Sequence, residues 1–145
     1  GAREVTKRRG EKYQLIWKDR MGFARLAVAH QCTIVPFAAI GAEEMYDVIY
    51  DADDIMASPL GGVLKNLGVR GDLIFPVVRG WGVTPLPRRQ RMYFQIGHPI
   101  SPADFGTDPD DDRVLREVRD ATKREILEGI ESLRTMRRAR REAGQ

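Results

Sequence analysis

A chain of 145 residues that is 42% hydrophobic and 31% charged carries enough apolar material for one domain or part of a larger one, and too much for a disordered tail. Its one cysteine, Cys32, excludes an intrachain disulfide, and with only His30 and His98 to add nitrogen ligands no zinc site is expected. The net charge of +3 conceals two basic ends, around Lys7, Arg8 and Arg9 and again from Arg134 to Arg141, which suit an anionic partner such as lipid or nucleic acid.

The first seventeen residues are mixed, with Tyr13, Leu15 and Ile16 as the earliest apolar group. "GFARLAVAH", from Gly22 to His30, sets Phe23, Leu26, Ala27 and His30 at helical spacing and predicts an amphipathic helix. Cys32 follows and is expected to be a buried, inert thiol. The run from Ile34 to Ile40 is continuously apolar, as in a strand covered on both faces in a parallel sheet. Pro36 within it cannot donate to a ladder, which places it at an edge, a bulge or the last paired position.

Residues 43–70, with Met45, Val48 and Ile49 and then "DADDIM", predict one or two short helices broken at Pro59, Gly61 and Gly62. "LIFPVVRGWGVTPLPRRQR" has no helical period and predicts a loop or re-entrant hairpin. "RMYFQIGHPIS" alternates Met92, Phe94 and Ile96 against Tyr93 and Gln95, the pattern of a strand. A long helix from Pro109 to Arg141 follows, capped by Thr107 or Asp108, with aspartates at its positive end and arginines at its negative end. Its apolar stripe is Leu115, Val118, Thr122, Ile126, Ile130, Leu133 and Met136, and Gly129 is expected to weaken it. The stretch from Leu26 to Ala42 lacks formal charge but is too short and broken to span a bilayer.

Several groupings suggest chemistry and read better as structure. "YDADD" lacks the glycine and distal glutamate of a calcium loop, so it reads as a solvated loop or helix start. His98 and Asp104 could pair as base and orienting carboxylate, but Pro99 and Pro102 forbid the helical turn that would join them. The terminal arginines have no interleaved aromatics to stack on bases, so no nucleic-acid partner is expected. "GWGVTPLPRR" is different: Trp81, Val83 and Leu86 beside Arg79, Arg88 and Arg89 make a candidate interfacial anchor, or a loop folded over its own core.

The order of segments, "GAREV", "LIWKDRMGFARLA", "TIVPFAAIGAEE" and "PLPRRQRMYFQIGHPIS", resembles the C-terminal half of the glycerolipid acyltransferases, the lysophosphatidic-acid acyltransferase-like superfamily, in the branch with "PGGAREV" where others have "PEGTR". The resemblance implies an α/β fold: a mixed, partly parallel sheet flanked by helices, with residues 1–106 in the acyltransferase domain and 107–145 as an amphipathic helix with a basic tail. It implies that Gly1, Ala2 and Arg3 end the block that binds the acyl acceptor. It likewise makes Lys18 a candidate second phosphate contact and implies that Val35 and Pro36 line the acyl-donor side. A guanidinium suits phosphate because it makes paired, charge-assisted hydrogen bonds.

The family's catalytic His-x-x-x-x-Asp is not in this sequence: Val35 stands five residues after His30, and Ala103 five after His98. The chain is therefore expected to begin inside the acceptor block and to be inactive by itself, its parent moving a fatty acyl group from acyl-CoA or acyl carrier protein to a glycerolipid hydroxyl such as that of lysophosphatidate. No cofactor or metal is implied beyond the co-substrate. The expected partners are the two substrates, an anionic membrane surface touched by Trp81, Arg79, Arg88 and Arg89, and the N-terminal half, at the cytoplasmic face of a membrane. The alternative is a non-catalytic module that binds anionic membranes.

Overall fold

The computed structural model describes residues 10–17, 19–50, 52–59, 63, 66, 67 and 77–144. They form a mixed α/β structure in two compact units. The first unit comprises residues 1–16 and 41–91, and the second comprises 17–40 and 92–145.

The second unit is built on helices α1, Gly22–His30, and α3, Asp112–Glu142, and on strands β1, Phe37–Ile40, and β4, Tyr93–Ile96. At the usual rise the 31 residues of α3 span about 46 Å. Asp111, not Thr107 or Asp108, caps α3: its carboxylate accepts from Arg113 N at 2.8 Å, while Asp108 Oδ1 accepts from Asp110 N and forms the preceding turn. The predicted stripe is the buried one at Leu115, Val118, Thr122 and Leu133, joined by Val114 and Ala121.

In α1 the buried residues are Ala24, Ala27 and Val28, whereas Leu26 and His30 are exposed, so the helix is rotated from the expected stripe. Ala24 and Val28 close against Val114, Leu115 and Val118, with Met21, Phe23, Ile34 and Phe105 around them. Small residues on α1 allow its close approach to the valines of α3. Gln31 ends α1 at φ 50°, with Gln31 N bonded to Val28 O and Cys32 N to Ala27 O, which satisfies the last carbonyls. That turn carries Cys32 outward, so its thiol is exposed rather than buried.

Strands β1 and β4 pair antiparallel, Phe37 opposite Ile96 and Ala39 opposite Phe94, and an Ile34–Ile100 bridge extends the ribbon. Every strand pair among the described residues is antiparallel, in place of the partly parallel arrangement expected. Burial in β1 alternates, with Ala38 and Ile40 inside and Phe37 and Ala39 exposed, so the apolar run from Ile34 is covered on one face and not on both. The covered face meets α3. A Cβ on Gly129 would lie 2.8 Å from the Ala38 Cβ, so the glycine sits where helix and strand touch.

In β4 the outward side chains are the large apolar ones, Phe94 and Ile96, at 56% and 70% exposure. Tyr93 and Gln95 are half-buried, and the Arg140 guanidinium lies 5.9 Å from the Tyr93 ring centre. This inverts the usual rule of apolar side inward.

The first unit contains the antiparallel pair β2, Asp47–Tyr50, and β3, Val77–Arg79, together with a short helix α2, Ala52–Ala57. The residues around Val48 and Ile49, expected as helix, are strand. Their β-branched side chains suit the pleated surface, and a bulge separates Val48 from Tyr50. The segment expected as a loop or hairpin supplies β3 and then a tight turn, Gly80 to Pro87.

Candidate substrate-binding surfaces

On the second unit, the outer face of the β1–β4 ribbon presents Val35, Phe37, Phe94 and Ile96. The rings of Phe37 and Phe94 stack with centres 5.6 Å apart. Pro36, just before β1, is buried, and its carbonyl accepts from Gly97 N at 2.9 Å, so the proline needs no donor of its own. None of these four outward side chains is ionisable, so together they can hold a hydrocarbon chain but cannot move a proton.

At the end of this ribbon His98 turns to α3. Its backbone N–H donates to Glu125 Oε2 at 3.0 Å, and Nδ1 lies 3.2 Å from the same oxygen. The backbone hydrogen bond is the main reason that the Glu125 carboxyl sits below its ordinary range, with burial opposing. Sequence reasoning tested His98 against Asp104 and missed Glu125, 27 residues away, because nothing local signals the pairing. With a side chain 92% exposed, His98 serves here as a clip between strand exit and helix.

A third cluster stands beside "WKD". Arg119, 7% exposed, sends Nη2 to Asp19 Oδ1 at 2.6 Å and Nη1 to Asp120 Oδ1 at 2.8 Å, and its guanidinium lies 5.8 Å from the Trp17 ring centre. Trp17 also stacks on Phe23. Both sequence neighbours of Lys18 are thus tied to α3. Lys18 itself lies outside the described residues, as do Gly1, Ala2 and Arg3.

On the first unit, Asp47 gathers cations. Arg88 Nη2 donates to Asp47 Oδ2 at 2.5 Å, Lys12 lies at 3.7 Å and Arg79 at 3.9 Å. The Arg88 hydrogen bond leads in holding the Asp47 carboxyl below its ordinary range, and the same bond raises the Arg88 guanidinium. Arg88 Nε also donates to Gly80 O at 3.0 Å. Of the four proposed membrane residues, Arg79 and Arg88 therefore meet at one carboxylate, while Trp81 and Arg89 are exposed. Among the described residues no group of three or more His, Cys, Asp or Glu side chains could hold a metal ion, and no helix is long and apolar enough to cross a membrane.

A family model described as diacylglycerol acyltransferase matches residues 1–121. The chain belongs to the diacylglycerol acyltransferase family. The motifs thus pointed to an acyltransferase family, but the matching one is the diacylglycerol acyltransferase family and not the lysophosphatidic-acid acyltransferase-like superfamily.

One of the similar proteins carries the family's name, and others do not. Diacylglycerol O-acyltransferase 2A of Umbelopsis ramanniana is 28% identical over 83% of the chain and 35% of its own length. The chloroplastic phytyl ester synthase 2 of Arabidopsis thaliana is 26% identical over 94% of the chain and 21% of its own. An uncharacterised protein of Mycobacterium leprae is 32% identical over 95% of the chain and 36% of its own. The chain therefore spans about a fifth to just over a third of these relatives. No solved structure is significantly similar.

Proposed function

We propose that the protein containing this chain transfers a fatty acyl group from a thioester, acyl-CoA or acyl carrier protein, to a hydroxyl of a neutral glycerolipid or similar lipid alcohol. Membership of the diacylglycerol acyltransferase family over residues 1–121 carries this reading. Relatives named for diacylglycerol acylation and for phytyl ester synthesis favour a neutral acceptor over lysophosphatidate. In the transfer the acceptor oxygen forms a bond to the acyl carbon, the carbon–sulfur bond breaks, and the hydroxyl proton ends on the released thiol. A redox group or metal is not required.

Within this chain the roles are binding roles. Val35 stands at the edge of the apolar ribbon face, and Pro36 fixes the start of β1; together with Phe37, Phe94 and Ile96 they suit the acyl chain of the donor. Gly1, Arg3 and Lys18 are assigned to a substrate phosphate, in lysophosphatidate if that is accepted or in the CoA donor otherwise. The general base comes from elsewhere in the parent, since this sequence carries no His-x-x-x-x-Asp. The 145-residue chain alone is then inactive, and the parent works at the cytoplasmic face of a membrane with its N-terminal portion as partner.

The test is to supply the purified parent protein with labelled acyl-CoA and, separately, diacylglycerol, phytol and lysophosphatidate, and to separate the lipid products. Ester formed on diacylglycerol or phytol is the expected result. Ester on lysophosphatidate alone transfers the reading to the phosphorylated acceptor, and thiol release without any ester overturns it.

A further inference from the structure

The turn that follows β3 is closed by its own backbone. Gly80 N donates to Thr84 O at 2.8 Å, Trp81 N to Leu86 O at 2.7 Å and Thr84 N to Trp81 O at 3.1 Å, with Thr84 Oγ1 on the same Trp81 carbonyl at 2.7 Å. At its neck Gly80 is buried, and a Cβ there would lie 1.7 Å from Leu86 O, so only glycine lets the two sides meet. These bonds satisfy backbone groups of the neck and hold the shape of the turn, so the direction of its tip is fixed by the chain itself. What the tip displays is apolar: Trp81 at 71% exposure, Val83 at 90% and Leu86 at 57%. An indole and two aliphatic side chains held outward on a pinned turn are not packing the unit that carries them.

The neck is cationic. Arg88 is fixed by Asp47 and Gly80 O, Arg79 and Lys12 share the same carboxylate, and Arg89 and Arg91 follow exposed in sequence. From Arg79 to Arg91 the sequence has no acidic residue. We infer that the Trp81–Leu86 turn and its basic neck form a docking device for an anionic bilayer surface. Trp81, Val83 and Leu86 enter the boundary between headgroups and acyl chains, where an indole is favoured. The arginines meet lipid phosphates, and each cation near such a surface contributes attraction that salt screens.

Asp47 is a positioning residue here. It offsets one unit of the neck's positive charge and in return holds the guanidinium of Arg88 beneath the turn. Charge complementarity selects a bilayer: an apolar tip has nothing to read on a nucleic acid, and the ring of cations suits a continuous anionic plane. The device does not depend on acyl transfer and can be tested without it.

The measurement is co-sedimentation of the 145-residue chain with phosphatidylcholine vesicles, pure or rich in phosphatidylglycerol, beside Trp81 emission read in a Trp17→Phe background. Binding to the anionic vesicles with a blue-shifted, lipid-quenchable Trp81 is expected, along with release at high salt. The exposed pair Trp81→Ala with Val83→Ser is expected to weaken partition about ten-fold, and Arg89→Gln or Arg91→Gln about five-fold each. Circular dichroism confirms that each variant keeps its fold. Three results overturn the proposal: no binding to anionic vesicles, equal binding to neutral ones, or binding that the Trp81 and Val83 substitutions leave intact with Trp81 emission unmoved. The last would transfer the interaction to the arginines at the end of α3.

Discussion

Arg119 Nη2 and Asp19 Oδ1 meet at 2.6 Å although 100 residues separate them, and the arginine is buried while the aspartate is exposed. The pair is therefore asymmetric. Removing the arginine returns Asp19 to water, whereas removing the aspartate leaves a buried guanidinium whose Nε already has no acceptor. Asp19→Ala should lower stability by about 1–3 kcal/mol, read from urea unfolding. Asp19→Asn, which can still accept, should cost less; equal losses would show that charge rather than the hydrogen bond matters.

Gly129→Ala tests whether packing outweighs helix propensity. Alanine is favoured over glycine in a helix by about 1 kcal/mol, yet its Cβ would lie 2.8 Å from that of Ala38. Overpacking of this kind typically costs about 1–3 kcal/mol, so the melting temperature should fall. Adding Ala38→Gly should restore part of the loss, and a rise in the single variant would contradict the contact.

Much of this architecture was legible from spacing, and the exceptions have physical causes. The 3.6-residue period located α1 and α3, because the α1–α3 interface selects one face of each helix. The period could not locate the α3 cap among consecutive aspartates, since Asp108, Asp110 and Asp111 all suit a helix start and only backbone geometry chooses. Alternation located β4, but not which side faces the helix; small Ala38 and Gly129 let α3 pack over the Tyr93 and Gln95 side. The partners of His98 and Arg88 were invisible because they lie 27 and 41 residues away.

Acid should loosen the neck of the Trp81 turn. Asp47 has its carboxyl pKa lowered, first by the Arg88 hydrogen bond, so its contribution is present above the unfolded pKa and is lost as pH falls through the lowered one. Trp81 emission in the Trp17→Phe background should hold steady from neutrality to about pH 4 and change below it. Asp47→Asn should show its change already at neutral pH, and an acid response unaltered by that substitution would assign it to another group.

Gly80→Ala should prevent the turn from closing, because the added carbon meets the Leu86 carbonyl, a backbone atom that cannot rotate away. Loss of amide protection at Trp81 and Thr84 in hydrogen exchange is the expected sign. Since the clash is confined to this turn, protection in α3 should stay unchanged.

Phe94→Ser separates two roles of the ribbon face. Phe94 is exposed in this chain, so the unfolding free energy should change by less than about 1 kcal/mol. In the parent protein the same substitution should raise KM for the acyl donor more than it lowers kcat, as loss of binding shared by ground and transition states does. An unchanged KM would remove this face from the donor site.

The outward direction of Phe94 and Ile96 also governs how the chain behaves in solution. Two stacked phenylalanines and an isoleucine on a short ribbon offer any second copy an adhesive surface, with strand edges beside it. Light scattering from this chain should therefore grow faster than its concentration. Added salt, which screens the repulsion between its basic ends, should steepen that growth, whereas a detergent micelle, by occupying the ribbon, should abolish it.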